Sequence, residues 1–550
     1  LKAYQLSDKL GMLLYKVYRY PQLQRDVDTR NNEVAAKLQQ VQILLSQFNT
    51  ATAWFDPELL SIGRDTMKQW LDKTRELAPY RHTIEDLFRK QEHVLDQDKE
   101  KLLSYFSRFS STPAATYTEL STSDIRFPEI TLSDGDSVTL TAGQYYNILS
   151  TNRNQADRRK AFENYYGVYN ANVNTYAAIY NGVLQRDWAE ARARDYASAL
   201  EAALDDDNVP EGVFQSLVAT VKANTAPVRK YIALRKRMLG LDEYHLYDGS
   251  IPIVDFDKTY DYDEAVKWVL KAVAPLGKDY QKKMKAGFEN RWIDVYENKG
   301  KSSGAYSAGV YGVHPFLLLN YNETIDNVFT VTHEMGHCMH TILSQENQPF
   351  ATSDYTIFVA EVASTLNEAL LLDYMLDHSK DPTERVVLLQ HAIESIVGTF
   401  YTQVMFADFE WQAHKMVEDG KPVTADALRS LYFELLKGYY GDAMTVDDLY
   451  GSTWTRISHF YGSPYYVYKY ATCFASSAKL VKGITSKDKK IRKETLARYL
   501  TLLKSGGNDY PMEQLKKAGV DLSDPSTIMA VVDQLDTMVG QLETEVSKLK

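Results

Sequence analysis

Apolar residues recur at three- and four-residue intervals among charged ones over residues 34–48, 57–71 and 84–109, which predicts a run of amphipathic helices. Between 116 and 150 the period drops to two. Ile125, Phe127, Ile130 and Leu132 alternate, a polar Ser133-Asp-Gly-Asp-Ser137 turn follows, and Val138 and Leu140 resume the alternation, so a β-hairpin is predicted. Helical spacing returns over 154–240. The segment 303–321, rich in Gly, Tyr, Val and Leu, predicts one or two strands beside a helix. From there to residue 550 nearly everything is helical in pattern, with breaks near 347–349, 462–464 and 505–508. The pattern predicts a mainly α protein, divided into an N-terminal helical lobe, 1–145, that ends in the hairpin, and a larger domain, 146–550. No repeat period or low-complexity tract breaks this picture.

Composition narrows the class. With 550 residues, 44% hydrophobic and 25% charged, the chain is an ordinary globular one with room for more than one domain. Its net charge of -11 repels polyanions, so a nucleic-acid partner is not expected. The most apolar stretch, 355–376, is interrupted by Glu361, Asn367, Glu368 and Asp373, so no membrane span is expected. Two cysteines, Cys338 and Cys473, and a start without a secretory pattern point to a reducing compartment, and a cytoplasmic location is expected. Three motif-like segments carry no chemistry. The acidic run Asp205-Asp206-Asp207 lacks the spacing of a calcium loop, Gly300-Lys301-Ser302 lacks the first glycine of a phosphate loop, and the Asn322-Glu-Thr324 sequon matters only to a secreted protein.

Residues 333–337 read His-Glu-Met-Gly-His within a helix predicted at about 324–343. At about 100° per residue, His333 and His337 lie about 40° apart on one face and one turn apart, where both imidazoles can reach one metal ion. Glu334 then sits beside that ion without ligating it. Catalytic zinc takes a third protein ligand and leaves a position for water. The metzincin spacing is closed, because His340 and Leu343 occupy the positions where Gly and His belong. His340 lies two turns from His333, a poor reach for shared ligation, and reads as a packed or supporting histidine.

A carboxylate from a second helix is the other route. Glu361, 24 residues past His337, is flanked by Val, Ala and Phe, where a carboxylate is costly unless it is paired or bound to a cation. The break at 347–349 lets the two helices run antiparallel and brings Glu361 back towards the motif. Glu368, seven residues on and on the same face, reads either as acceptor for a ligand histidine's second nitrogen or as a surface ion pair.

Tyrosine is abundant at 39 residues, and a dense group lies in His459-Phe-Tyr461-Gly-Ser-Pro464-Tyr465-Tyr466-Val-Tyr468-Lys-Tyr470. One reading is an aromatic helix packed in the core. The other starts a helix at Ser463-Pro464, with His459 and Tyr461 on a preceding loop and Tyr465 and Tyr468 on the first turns, as donors to an oxyanion.

His333-Glu-Met-Gly-His337-x-x-His340 followed by Glu361-Val-Ala-Ser364, together with this tyrosine segment, resembles the thimet-oligopeptidase family of zinc peptidases, in its oligoendopeptidase F branch. The resemblance runs over about 300–535 and more loosely over the N-terminal half. It implies a mainly α fold of two helical lobes around a deep substrate channel, with a small β element beside the zinc site. It also implies one Zn2+ per chain on His333, His337 and Glu361, with Glu334 as general base. His459, Tyr461, Tyr465 and Tyr468 become the expected oxyanion donors. The stretch 312–321 resembles the family's active-site strand, along which a peptide can pair.

The expected activity is hydrolysis of internal bonds in short peptides. Two alternatives stand beside it: a dipeptidyl carboxypeptidase that captures the terminal carboxylate with a basic group such as Arg456, and an inactive peptide-binding protein.

Overall fold

The computed structural model describes residues 1–549, without the side chains at 97, 101, 104, 107 and 108. Several helices begin where the sequence supplies a side-chain acceptor. Asn31, Thr141, Thr324, Asp381, Thr424, Asp488 and Asp524 each bond a backbone N–H of the first turn that follows. The fold is mainly α, with two small sheets of two and three strands.

The described chain forms two compact units, each assembled from three separate segments. The first comprises Leu1–His93, Asp257–His378 and Ser476–Asp521; the second comprises Val94–Phe256, Ser379–Ala475 and Leu522–Lys550. This division differs from the single boundary expected at 145/146, because units held by contact follow proximity in space while the sequence pattern follows chain order. The chain leaves the first unit at His93, and the hairpin lies inside the second.

In the first unit, helices Lys2–Val27 and Asn32–Thr52 pack on each other. A three-stranded sheet has Phe316–Tyr321 at its centre, parallel to Ile293–Tyr296 and antiparallel to Tyr306–Ala308, with Leu317 opposite both Ile293 and Ser307. The strand expected along 312–321 is therefore paired on both sides, and the edges free for strand addition belong to its neighbours. Strand Ile293–Tyr296 was not expected from the sequence.

The central strand leads through Thr324 into the helix Ile325–Asn347, which carries the His-Glu-x-x-His motif. After Gln348-Pro349 and a 3-10 turn at Phe350–Thr352, the chain returns as helix Ile357–His378, which carries Glu361. Buried Val328, Val331, Met335, Met339, Val362 and Leu366 help fill the core around these two helices. They approach closely at Gly336, where an added Cβ would lie 2.5 Å from Ser364 Cα.

The second unit holds the expected hairpin, Glu129–Thr131 paired antiparallel with Ser137–Thr139. Its core is rich in tyrosine. Tyr145 stacks on Tyr165 at 4.2 Å between ring centres, and Phe127 also stacks on Tyr165, at 4.7 Å, and lies tilted against Tyr169. Arg158 and Asp248 form a buried ion pair at 2.6 Å. Helix Pro525–Ser547 packs along Pro382–Ile396. Among the described residues, no helix is long and apolar enough to cross a membrane.

Candidate active site

The motif helix presents His333 and His337 one turn apart, as its period requires. Their Nε2 atoms stand 3.1 Å apart, and Glu361 Oε2 lies 3.1 Å from His333 Nε2 and 3.4 Å from His337 Nε2. Three ligands held at ~2.0–2.2 Å from one ion with tetrahedral angles stand about 3.3–3.6 Å from one another. The observed triangle is close to that size, and these three residues form a group that could hold a metal ion.

The protonation of the triangle points the same way. His333 Nδ1 donates to Glu368 Oε1 at 2.5 Å, which leaves the Nε2 lone pair facing the triangle. Two imidazole lone pairs and a carboxylate cannot share so small a space without a proton or a cation between them. Although burial works against it, hydrogen bonding to Glu361 and Glu368 holds the His333 imidazole well above its ordinary value. Burial likewise opposes ionisation of Glu361, but the two histidines hold its carboxyl well below the usual carboxylate range. These opposite shifts are those of donors converging on one centre, and a divalent cation satisfies all three at once.

A supporting contact orients Glu361 as well. Ser364, one turn past Glu361, donates its hydroxyl to Glu361 Oε2 at 2.7 Å. Sequence reasoning gave Ser364 no role; the signal was its place three residues after the glutamate on a helix. Tyr355 bonds Thr341 at 3.1 Å, and its hydroxyl lies 3.5 Å from the His337 carbonyl oxygen.

Glu334 is buried, and burial raises its carboxyl while the neighbouring histidines draw it back. His340 stands outside the donor group. It lies flat on Tyr355 at 3.6 Å between ring centres, and burial holds it in the neutral form. His314 stacks on Trp292 at 4.7 Å and faces the Pro315 carbonyl oxygen at 2.8 Å through Nδ1.

The four expected oxyanion donors lie in the second unit. His459 and Tyr461 sit on a short helix, Ser458–Gly462, and not on a loop. The next helix starts at Tyr468 rather than at Pro464. Between them the buried Glu410 takes the Tyr465 N–H on its Oε1 at 2.8 Å, and Tyr465 turns with φ +54°, which breaks the helical path expected from Ser463-Pro464.

Tyr461 stacks on Tyr117 at 3.9 Å, Tyr465 lies 4.7 Å from the His414 ring, and Tyr468 packs on Phe214 at 5.4 Å. All three are buried. His459 is half-buried, stacks on Tyr466, and has Nε2 3.5 Å from the Tyr470 hydroxyl. Tyr466 and Tyr470 were passed over in the sequence because the expected helix start assigned Tyr465 and Tyr468 to the active face. Arg456 bonds the Tyr166 hydroxyl at 2.9 Å.

A His-Glu-x-x-His helix whose two imidazoles converge with a carboxylate from the next helix defines a metallopeptidase. Sequence comparison carries this further. The description of peptidase family M3 matches residues 148–533, and that of oligopeptidase F matches 58–127. The chain is 39% identical to oligopeptidase PepF of Bacillus subtilis, over all of this chain and 81% of that one. In structure it is similar to oligoendopeptidase-F from Enterococcus faecium, with a TM-score of 0.77 at 31% identity, over 99% of this chain and 94% of that one. A Chlamydophila abortus protein assigned as a peptidase superposes with a TM-score of 0.91 at 34% identity, over 98% and 90% of the two chains. The chain belongs to peptidase family M3, and it is a peptidase of the oligopeptidase F kind.

Proposed function

We propose that the protein is a zinc-dependent endopeptidase that hydrolyses internal bonds of short, unstructured oligopeptides. The observation that carries this reading is the triangle of His333 Nε2, His337 Nε2 and Glu361 Oε2 on the helix pair that also holds the buried Glu334. A zinc ion bound there supplies a Lewis acid for the scissile carbonyl and makes water easier to deprotonate.

The chain's own residues do the rest. Glu368 fixes the tautomer of His333, and Ser364 fixes the Glu361 carboxylate, so the donors meet the ion without rearranging. The Glu334 carboxylate accepts the proton of the attacking water and returns it to the leaving amide nitrogen. Burial that raises its carboxyl suits a group that must hold a proton between two transfers.

Donors to the oxyanion are assigned to the segment carrying His459, Tyr461, Tyr465 and Tyr468. His459 is half-buried beside Tyr466 and Tyr470, which favours it for that role over the three buried phenols. The use of only two cysteines in 550 residues, Cys338 and Cys473, both buried, supports a cytoplasmic location.

The test is cleavage of an internally quenched peptide library, blocked at the N-terminus and prepared with both free and amidated C-termini, by wild type and Glu334→Gln, with zinc measured in both. Internal cuts by wild type, lost in a variant that keeps zinc, support the reading. Trimming only from one end of unblocked peptides would replace it with an exopeptidase. A zinc-loaded wild type that cuts nothing would replace it with a peptide-binding protein.

A further inference from the structure

A groove of about 610 Å³ opens in the first unit between helix Lys2–Val27 and the segment 310–316. Leu23, Val27 and Val34 form one wall, and Val310, Val313 and Phe316 the other. Two cations, Lys16 and Arg19, line it, and no acidic side chain does. Lys16 is exposed, and its Nζ lies over Gly312, 3.7 Å from where a Cβ on that glycine would stand. Arg19 is half-buried, gives one guanidinium nitrogen to Gln22 at 2.7 Å, and has its Nε buried without a hydrogen-bond partner. Asp354, whose charge Arg19 feels, lies outside the lining. An apolar slot lined by two positive charges fits a ligand that joins an apolar group to a carboxylate.

The groove is tied to the candidate site by its own wall. Gly309 stands so close to the motif helix that a Cβ on it would lie 2.7 Å from Thr341 Cγ2, and the Tyr311 hydroxyl donates to the Gln348 carbonyl at 3.1 Å. Thr341 is one turn, about 6 Å of rise, beyond His337. The wall of the groove therefore runs onto the motif helix one turn beyond His337.

We propose that this groove binds the C-terminal residue of a peptide, with an apolar side chain between the two walls and the α-carboxylate on Lys16 and Arg19. Resting on the endopeptidase reading, this makes the substrate class peptides with a free, apolar C-terminus. The groove offers no comparable partner to an amide-capped end, because its charges are both positive.

Binding is read on the full chain carrying Glu334→Gln, so that no probe is consumed. The probe is fluorescein-Gly-Ser-Gly-Ala-Leu, as the free acid and as the C-terminal amide, followed by anisotropy. The free acid is expected to bind at least tenfold more tightly than the amide, a margin that Lys16→Gln with Arg19→Gln reduces to less than twofold. Equal binding of acid and amide would overturn the proposal, as would a preference for the acid that survives the double substitution. Failure of the endopeptidase reading shows separately, as absence of internal cleavage by wild type, because anisotropy needs no turnover.

Discussion

Gly336 and Ser364 meet backbone to backbone: a Cβ on Gly336 would lie 2.5 Å from Ser364 Cα and 2.8 Å from the Ala363 carbonyl oxygen. The obstacles are main-chain atoms, which cannot swing aside as a side chain tip would. The glycine inside His333-Glu-Met-Gly-His337 thus sets the separation of the two helices that bring Glu361 to the histidines. Gly336→Ala is expected to destabilise the protein by about 3 kcal/mol, at the upper end for overpacking, and to lower its zinc content. Thermal melts and zinc per chain check this. An alanine variant with wild-type melting and full zinc would show that the helices can separate without loss.

Ser364 and Glu368 touch the donors and not the ion, so their removal should weaken metal binding without abolishing it. Ser364→Ala frees Glu361 Oε2 from its 2.7 Å bond, and Glu368→Ala removes the acceptor that fixes the His333 tautomer. Each is expected to lose about 10–100-fold in zinc affinity, measured by competition with a chelator at fixed pH. Glu361→Ala, which deletes a donor, should lose more than either. An order in which Ser364→Ala exceeds Glu361→Ala would contradict the assignment of Glu361.

The sequence made the donor set legible because helical period is a local property: five residues place His333 and His337, and one hydrophobic helix with a stray glutamate points to Glu361. Helix lengths were legible only in part: the helix expected over 57–71 is broken at Gly63, and the one expected over 84–109 ends at Lys90 and resumes at Gln97. Strand Ile293–Tyr296 was not legible, because three half-buried residues and the exposed Tyr296 carry too short an alternation to stand out, and only pairing with Phe316–Tyr321 makes them a strand. The tyrosine segment was misread in register for a different physical reason. Ser463-Pro464 is a sound helix start in isolation, but the carboxylate of Glu410, 55 positions earlier in the chain, captures the Tyr465 N–H and delays the helix to Tyr468. The three-segment make-up of each unit was likewise illegible, since nothing in local pattern says that Ser476–Asp521 packs with the motif helix rather than with the residues just before it.

Glu410 should also make stability depend on pH. Its carboxyl is wholly buried, and burial pushes it up to about 8 from 4.5, against the pull of His414 and the Tyr465 N–H. The folded state therefore favours the protonated acid. That contribution is complete below about pH 4.5, declines as pH rises towards 8, and is gone above it, at up to about 1.4 kcal/mol per pH unit within the window. His414, which burial lowers but Asp187 raises to a net upward shift, loses its own contribution in the same direction. Glu410→Gln is expected to flatten the decline of melting temperature between pH 5 and 8, whatever it does to the absolute value. Parallel curves for wild type and variant would mean that Glu410 is already ionised in the folded protein.

The phenols of the tyrosine segment should separate into two groups by kinetics. His459, Tyr466 and Tyr470 form a half-buried cluster, whereas Tyr461, Tyr465 and Tyr468 are packed among Tyr117, His414 and Phe214. A donor to the oxyanion acts in the transition state, so its loss lowers kcat with little change in KM. His459→Ala is expected to reduce kcat about 10²–10³-fold with melting close to wild type. Tyr461→Ala should instead destabilise the protein by about 3–5 kcal/mol, as is typical of a large buried ring removed, and so lower the melting temperature. Tyr461→Phe, which keeps the stack on Tyr117 and deletes only the hydroxyl, discriminates between the two roles: near wild-type kcat leaves Tyr461 a packing residue, while a hundredfold loss of kcat with unchanged melting would require that this phenol leave the core to meet the substrate.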